Sequence, residues 1–146
     1  DVVAEVMRMV RSDALFRNVS LTFEAPASPK RVAGDRIQLQ QAILNLVLNA
    51  FDAVSEKEGL REVSISIGED KDEAKITVRD SGNGVEPAMI AHIFEPFFTT
   101  KPKGMGMGLS IVRSIIKAHE GQVSARRNPD HGSTFEIVLP ALQEKI

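Results

Sequence analysis

Apolar residues recur along this chain in two rhythms, one helical and one of period two, and their order outlines a fold. Val2, Val3, Val6, Met9 or Val10, and Leu15 fall at near-helical spacing among charged residues, predicting an amphipathic helix over residues 1–16. Val19 to Phe23 then alternates as a strand does, and residues 25–29, with two prolines, read as a connection. Gly34 and Asp35 precede a second helix, with Asp35 as its cap. Its apolar stripe is Leu39, Ile43, Leu46 or Val47, Ala50 and Val54, and Gly59 ends or follows it. Asn45, Asn49 and Asp52 form a neighbouring stripe, because residues three or four apart face the same way.

Two strands follow. Val63, Ile65 and Ile67 alternate with polar residues, as do Ala74, Ile76 and Val78, and residues 68–72 form a turn between antiparallel neighbours. Asp80 continues the second alternation in phase, so a carboxylate is aimed at the apolar side where the strand gives way to Gly82 and Gly84. From Glu86 to Met107 the pattern weakens to one short helical turn at residues 88–93, then a proline- and glycine-interrupted loop. Leu109, Val112, Ile115 or Ile116 and His119 make a last helix that Gly121 ends. Val123 and Ala125, then Phe135, Ile137 and Leu139, give two closing strands joined through residues 128–132, with Pro140 as the stop. This order predicts an α/β two-layer sandwich, a mixed and mostly antiparallel sheet covered on one face by helices, rather than a doubly wound fold.

Composition narrows the function classes. At 146 residues the chain makes one domain. It has no cysteine, which excludes disulfides, thiolate zinc sites and a cysteine nucleophile. No apolar run is long enough to span a bilayer. With a net charge of -2 and no basic block, Arg8, Arg11 and Arg17 read as solvated helix surface and not as a nucleic-acid stripe.

Three groups of residues could carry chemistry. Asn45 and Asn49 share a helix face, and amide oxygens can ligate a hard cation such as magnesium; satisfying a helix edge is the plainer alternative. Asp80-Ser81-Gly82-Asn83-Gly84 sets a carboxylate against an apolar face, where it is costly without donors. The N6 amine of adenine would be such a donor, whereas guanine presents a carbonyl oxygen there; a simple tight turn is the alternative. Lys101 to Ser110, with Gly104, Gly106 and Gly108, offers backbone N–H groups, two lysines and a helix start to an anion; a flexible connector is the alternative. That stretch lacks the Gly-Lys-Ser/Thr ending of a Walker loop.

Taken together these groups resemble the superfamily of DNA gyrase, Hsp90, MutL and histidine kinases, and most closely the ATP-binding catalytic domain of bacterial sensor histidine kinases. Residues 45–50 match its N box, Asp80 to Gly84 its first glycine box and Phe94 to Lys101 its phenylalanine box. Gly104 to Leu109 match the second glycine box and Gly132 to Phe135 resemble a final glycine motif. All occur in family order over nearly the whole chain, and the wording Asn-Ala-Phe-Asp-Ala is similar to the nitrogen-regulation and oxygen-sensing subgroup.

The resemblance implies a Bergerat-type fold, with residues 1–16 as a helix leading from a separate dimerisation domain and residues 17–146 as the ATP-binding domain. It implies ATP and Mg2+ as ligands, Asn49 on the metal and Asp80 on adenine. Asn45, Asn49, Lys101 and Lys103 would serve catalysis. Asp52, Gly82, Gly84, Val85, Phe94, Phe98, Thr99, Thr100, Met105, Met107, Gly104, Gly106, Gly108, Leu109 and Thr134 would line the nucleotide. Asn45 stands where gyrase-like and Hsp90-like relatives have a glutamate that activates water, and an amide is no such base. The departure favours phosphoryl transfer over hydrolysis, against the alternatives of a conformational ATPase or a non-catalytic nucleotide-binding module. Asp52 and Thr99 replace a lysine and an arginine found in some histidine kinases, leaving Lys101, Lys103 and loop amides to hold phosphate. Implied partners are a helical dimerisation and phosphoacceptor domain, a response-regulator receiver domain and a second copy in a homodimer, with no nucleic acid. The implied location is cytoplasmic, in a protein either soluble or anchored in the inner membrane. His92, His119 and His131 are expected to be structural or surface residues rather than phosphoacceptors.

Overall fold

The computed structural model describes residues 2–25, 32, 34–55, 59, 61–70, 72–95 and 108–141. Three helices and five strands occur among them. In chain order they are α1 (Val2–Phe16), β1 (Ser20–Glu24), α2 (Arg36–Ser55), β2 (Glu62–Asp70), β3 (Glu73–Asp80), α3 (Gly108–Ala118), β4 (Gln122–Arg127) and β5 (Ser133–Pro140), with a single 3-10 turn at Pro87–Met89. The strands make one sheet in the order β1-β2-β3-β5-β4, parallel only between β1 and β2.

Register turns the alternation seen in sequence into a continuous apolar face. Phe23, Ile65, Val78, Phe135 and Ala125 stand in one row across all five strands, and Ile67, Ile76, Ile137 and Val123 in the next. A third row runs Leu21, Val63, Asp80, so the carboxylate occupies a position its neighbours fill with hydrocarbon. The helices cover this face: α1 over β1, α2 over β2 and β3, and α3 over β4. Phe51 and Phe135 are fully enclosed in the shared core, where truncation of a phenylalanine to alanine costs about 3–5 kcal/mol.

Helix ends follow local chemistry. The Asp35 carboxylate accepts from the N–H groups of Ile37 and Gln38, capping α2 as its position forecast. At the end of α1, Asn18 adopts a left-handed φ of 57°, while Val19 N–H donates to Ala14 O and Asn18 N–H to Leu15 O. The end of α3 repeats that pattern with Glu120 (φ 62°) in the left-handed position, where Gly121 was expected. Gly121 is needed for a different reason: a Cβ there would lie 2.4 Å from the Val138 carbonyl oxygen.

Two further expectations are corrected. Leu15 is 80% exposed and Ala14 takes the buried position in α1, while Val10 rather than Met9 faces inward. Arg17 is not free helix surface. Its guanidinium meets Asp52 of α2 at 2.8 Å and Asp13 at 3.3 Å, and its carbonyl accepts from Arg61.

Candidate functional site

The site grows from the end of β3. Asp80 is only 3% exposed, which a carboxylate tolerates only if donors meet it. The Gly82 N–H donates to its Oδ1 at 2.9 Å and the Ser133 N–H at 3.2 Å. Among the described residues, the hydrogen bonds to this carboxylate all fall on Oδ1. Burial pushes the Asp80 carboxyl above its ordinary value, and the two backbone N–H groups and nearby His131 oppose that shift.

Three glycines let main chain close around this group. At Gly82, a Cβ would come within 2.8 Å of the Ala53 carbonyl oxygen, so the loop after β3 presses against α2 one turn beyond Asn49. Gly132 has a φ of 81°, and its Cβ would sit 1.9 Å from the Asp80 carbonyl oxygen. Gly84, with a φ of 83°, backs onto Gly132. The first glycine box, the final glycine motif and the helix bearing the N box thus meet at one place.

Residues missed in the sequence reading complete the frame. Asn128 is buried between β4 and β5, and its amide donates to His131 O at 3.1 Å and Asp80 O at 3.4 Å. Its side-chain oxygen accepts from the Thr134 hydroxyl. Ser133 supplies the N–H on Asp80 and a hydroxyl that accepts from Val85 N–H at 2.9 Å. Ser81 accepts from Glu62 N–H through its own hydroxyl, fixing the loop to β2. The motif Gly-Ser-Thr was a usable signal for Ser133; nothing in an Asn-Pro-Asp turn distinguished a buried Asn128.

Asn45 and Asn49 lie half-buried on α2, as does Asp52, whose carboxylate is committed to Arg17. Val85 is placed at the loop by its bond to Ser133. Phe94 meets Phe135 edge to face, with centroids 6.1 Å apart, and so anchors its segment in the core. Gly108 and Leu109 open α3. Thr134 is not brought to the Asp80 side: it alternates away from Phe135, pairs with Arg79 in register and is held by Asn128. Phe98, Thr99, Thr100, Lys101, Lys103, Gly104, Met105, Gly106 and Met107 lie outside the described residues. A separate open hollow lined by Asp72, Glu73, Glu120 and Gln122 holds none of the candidate residues.

Against known proteins, the sequence model described as "Histidine kinase-, DNA gyrase B-, and HSP90-like ATPase" matches residues 34–143. The chain belongs to that family. Within this ATPase family it is 40% identical to the sensor protein FixL of Bradyrhizobium diazoefficiens over 128 residues, 88% of this chain and 25% of that protein. It is 36% identical to the sensor histidine kinase ZraS of Salmonella typhimurium over 97% of this chain and 30% of that protein. The chain therefore spans about a quarter to a third of these curated relatives. Its fold matches a nucleotide-free catalytic domain of histidine kinase ThkA with a TM-score of 0.86 at 30% identity, covering 96% of this chain and 90% of that one. Membership accounts for the five-stranded mixed sheet, and makes this an ATP-binding ATPase domain of the histidine kinase kind. No helix among the described residues is long and apolar enough to cross a membrane.

Proposed function

We propose that this chain binds Mg-ATP and presents its γ-phosphoryl group to a histidine on a separate helical dimerisation domain. The carrying observation is Asp80: a buried carboxylate whose Oδ1 is occupied by two backbone donors, which suits Oδ2 to the N6 amine of adenine. Gly82 and Gly84 would admit the base beside it, with Val85 packed at its edge.

Asn45 and Asn49 would face the phosphates from α2. Among the described residues no group of three His, Cys, Asp or Glu side chains could cage a metal. An amide oxygen beside phosphate oxygens and water is a donor set that magnesium accepts, so the residues fit the ion through Asn49. When bound, Mg2+ would neutralise charge on the phosphates. Lys101, Lys103 and the amides from Gly104 to Gly108 would close over the triphosphate, with Phe94 holding one end of that cover to the core.

The chain's own contribution would be alignment and charge neutralisation, as phosphoryl transfer requires. Asn45 cannot take a proton from water, so hydrolysis should be slow. That amide also weighs against a gyrase-like or Hsp90-like conformational ATPase. The histidine kinase ThkA has been observed in complex with the response regulator TrrA. By analogy, the phosphorylated partner domain here would pass its phosphoryl group to a receiver domain, within a homodimeric whole protein.

Labelled ATP supplied with a helical phosphoacceptor domain tests this reading. Label should move to that domain's histidine and not to this chain alone. Brisk ADP production with no partner present, or no transfer with one, would refute it.

A further inference from the structure

His119 is half-buried at the end of α3 and makes two hydrogen bonds that leave its ring no choice of tautomer. Nδ1 lies 2.7 Å from the Ile115 carbonyl oxygen, which can only accept, so Nδ1 carries the proton. Nε2 lies 3.0 Å from the Asp35 backbone nitrogen, which can only donate, so Nε2 accepts. Asp35 caps α2. The imidazole thus ties the last turn of α3 to the first turn of α2 across 84 positions of sequence. Gly34 leaves room for the ring: a Cβ there would fall 2.3 Å from His119 Cδ2.

The consequence lies at the other end of the two helices. They pack along each other, and the end of one meets the start of the other, so they run antiparallel. At about 1.5 Å per residue, Gly108 stands about 16 Å from His119 along α3, while Asn45 and Asn49 stand about 15 and 21 Å from Asp35 along α2. The start of α3 is therefore level with the two asparagines.

We propose that His119 is a positioning residue: its strut sets the register of α3 against α2 and so fixes the gap between the α3 N-terminus and Asn45 and Asn49. That gap is where the triphosphate sits in the function proposed above, on which this inference rests. Adenine, held at Asp80 by β3 and the start of β5, lies outside the strut's reach. His119 therefore tunes affinity for the phosphates and leaves affinity for the nucleoside alone.

The test compares Mg-ATP with adenosine, titrated by NMR or calorimetry, on variants shown folded by circular dichroism. His119→Ala, and His119→Asn, which keeps only the Ile115 bond, should lower Mg-ATP affinity about fivefold to tenfold, the equivalent of one hydrogen bond. Adenosine affinity should stay within about twofold of the parent by the same scale. His119→Gln reaches Asp35 with a side-chain oxygen and should restore most of the loss. Gly34→Ala, which pushes the ring aside, should mimic His119→Ala but add nothing to it in the double variant. The inference is overturned if ATP and adenosine weaken by the same factor, if neither changes, or if Asn rescues as well as Gln. A parent protein that binds neither ligand would refute the nucleotide reading itself, and the strut's role with it.

Discussion

Asp80→Asn separates recognition from stability. The amide would be oriented by the two N–H groups of Gly82 and Ser133, which require an acceptor and so select its oxygen. The NH2 group must then take the place of Oδ2. A carboxylate that accepted from the N6 amine of adenine becomes a donor facing a donor. Loss of a charge-assisted hydrogen bond costs about 1.5–3 kcal/mol, which corresponds to about 10- to 150-fold in Kd for ATP. Guanine carries an acceptor at the same position, so GTP should lose less or gain. Stability moves differently, because both backbone bonds survive and a buried charge is removed. Unfolding free energy in urea at neutral pH should therefore equal or exceed the parent's, within about 1 kcal/mol. The pH response follows from the raised carboxyl value. Folded Asp80 holds its proton to higher pH than the unfolded chain does, so its contribution to stability is full in acid and is lost as pH rises through the folded value. The Asn variant should lack that component, and its weak nucleotide binding should not fall further in the acid range where the parent's does. Unchanged ATP affinity together with an unchanged ATP-to-GTP ratio would refute the role assigned to Asp80. Loss of more than about 2 kcal/mol would show that the carboxylate is needed for the fold instead.

Other outcomes follow from the same frame. Asn49→Ala should flatten the magnesium dependence of ATP binding while leaving adenosine binding intact; a parent-like magnesium titration would remove the metal assignment. Gly132→Ala combines a left-handed φ with a main-chain collision and should destabilise by about 2–4 kcal/mol or prevent folding, as read by thermal unfolding. Asn128→Ala strips a donor from one buried and one part-buried carbonyl and an acceptor from Thr134, and should cost about 1–3 kcal/mol in urea. Asp52→Ala removes an ion pair that is partly solvated and should cost under about 1 kcal/mol, with a smaller difference at high salt.

What the sequence revealed was mainly which side of each element faces inward. The alternation in β2 and β3 placed Asp80 on the apolar face correctly, because a period of two leaves a side chain only two choices. Partners were less legible. Nothing in the pattern of Leu21 and Phe23 said that β1 runs parallel to β2, or that β5 lies between β3 and β4, since facing and pairing are separate properties. The N box and first glycine box could be named, but their contact through Gly82 and Ala53 is a matter of backbone shape. Arg17 was misread because its ion pair spans 35 positions, beyond any local periodicity. Leu15 misled for the opposite reason: helical spacing recommended it, and the left-handed turn at Asn18 closes the helix with Ala14 inward instead.

The placement of β5 has a bearing on how the base-reading corner is completed. Because β5 is inserted between β3 and β4 and delivers Ser133 to Asp80, with Gly132 pressed against the Asp80 carbonyl, the base-reading corner is incomplete until β5 is in place. A chain cut before β5 should have a sheet missing an inner strand, with Asp80 short of a donor. Ligand capture would then report whether β5 has taken its place in the sheet.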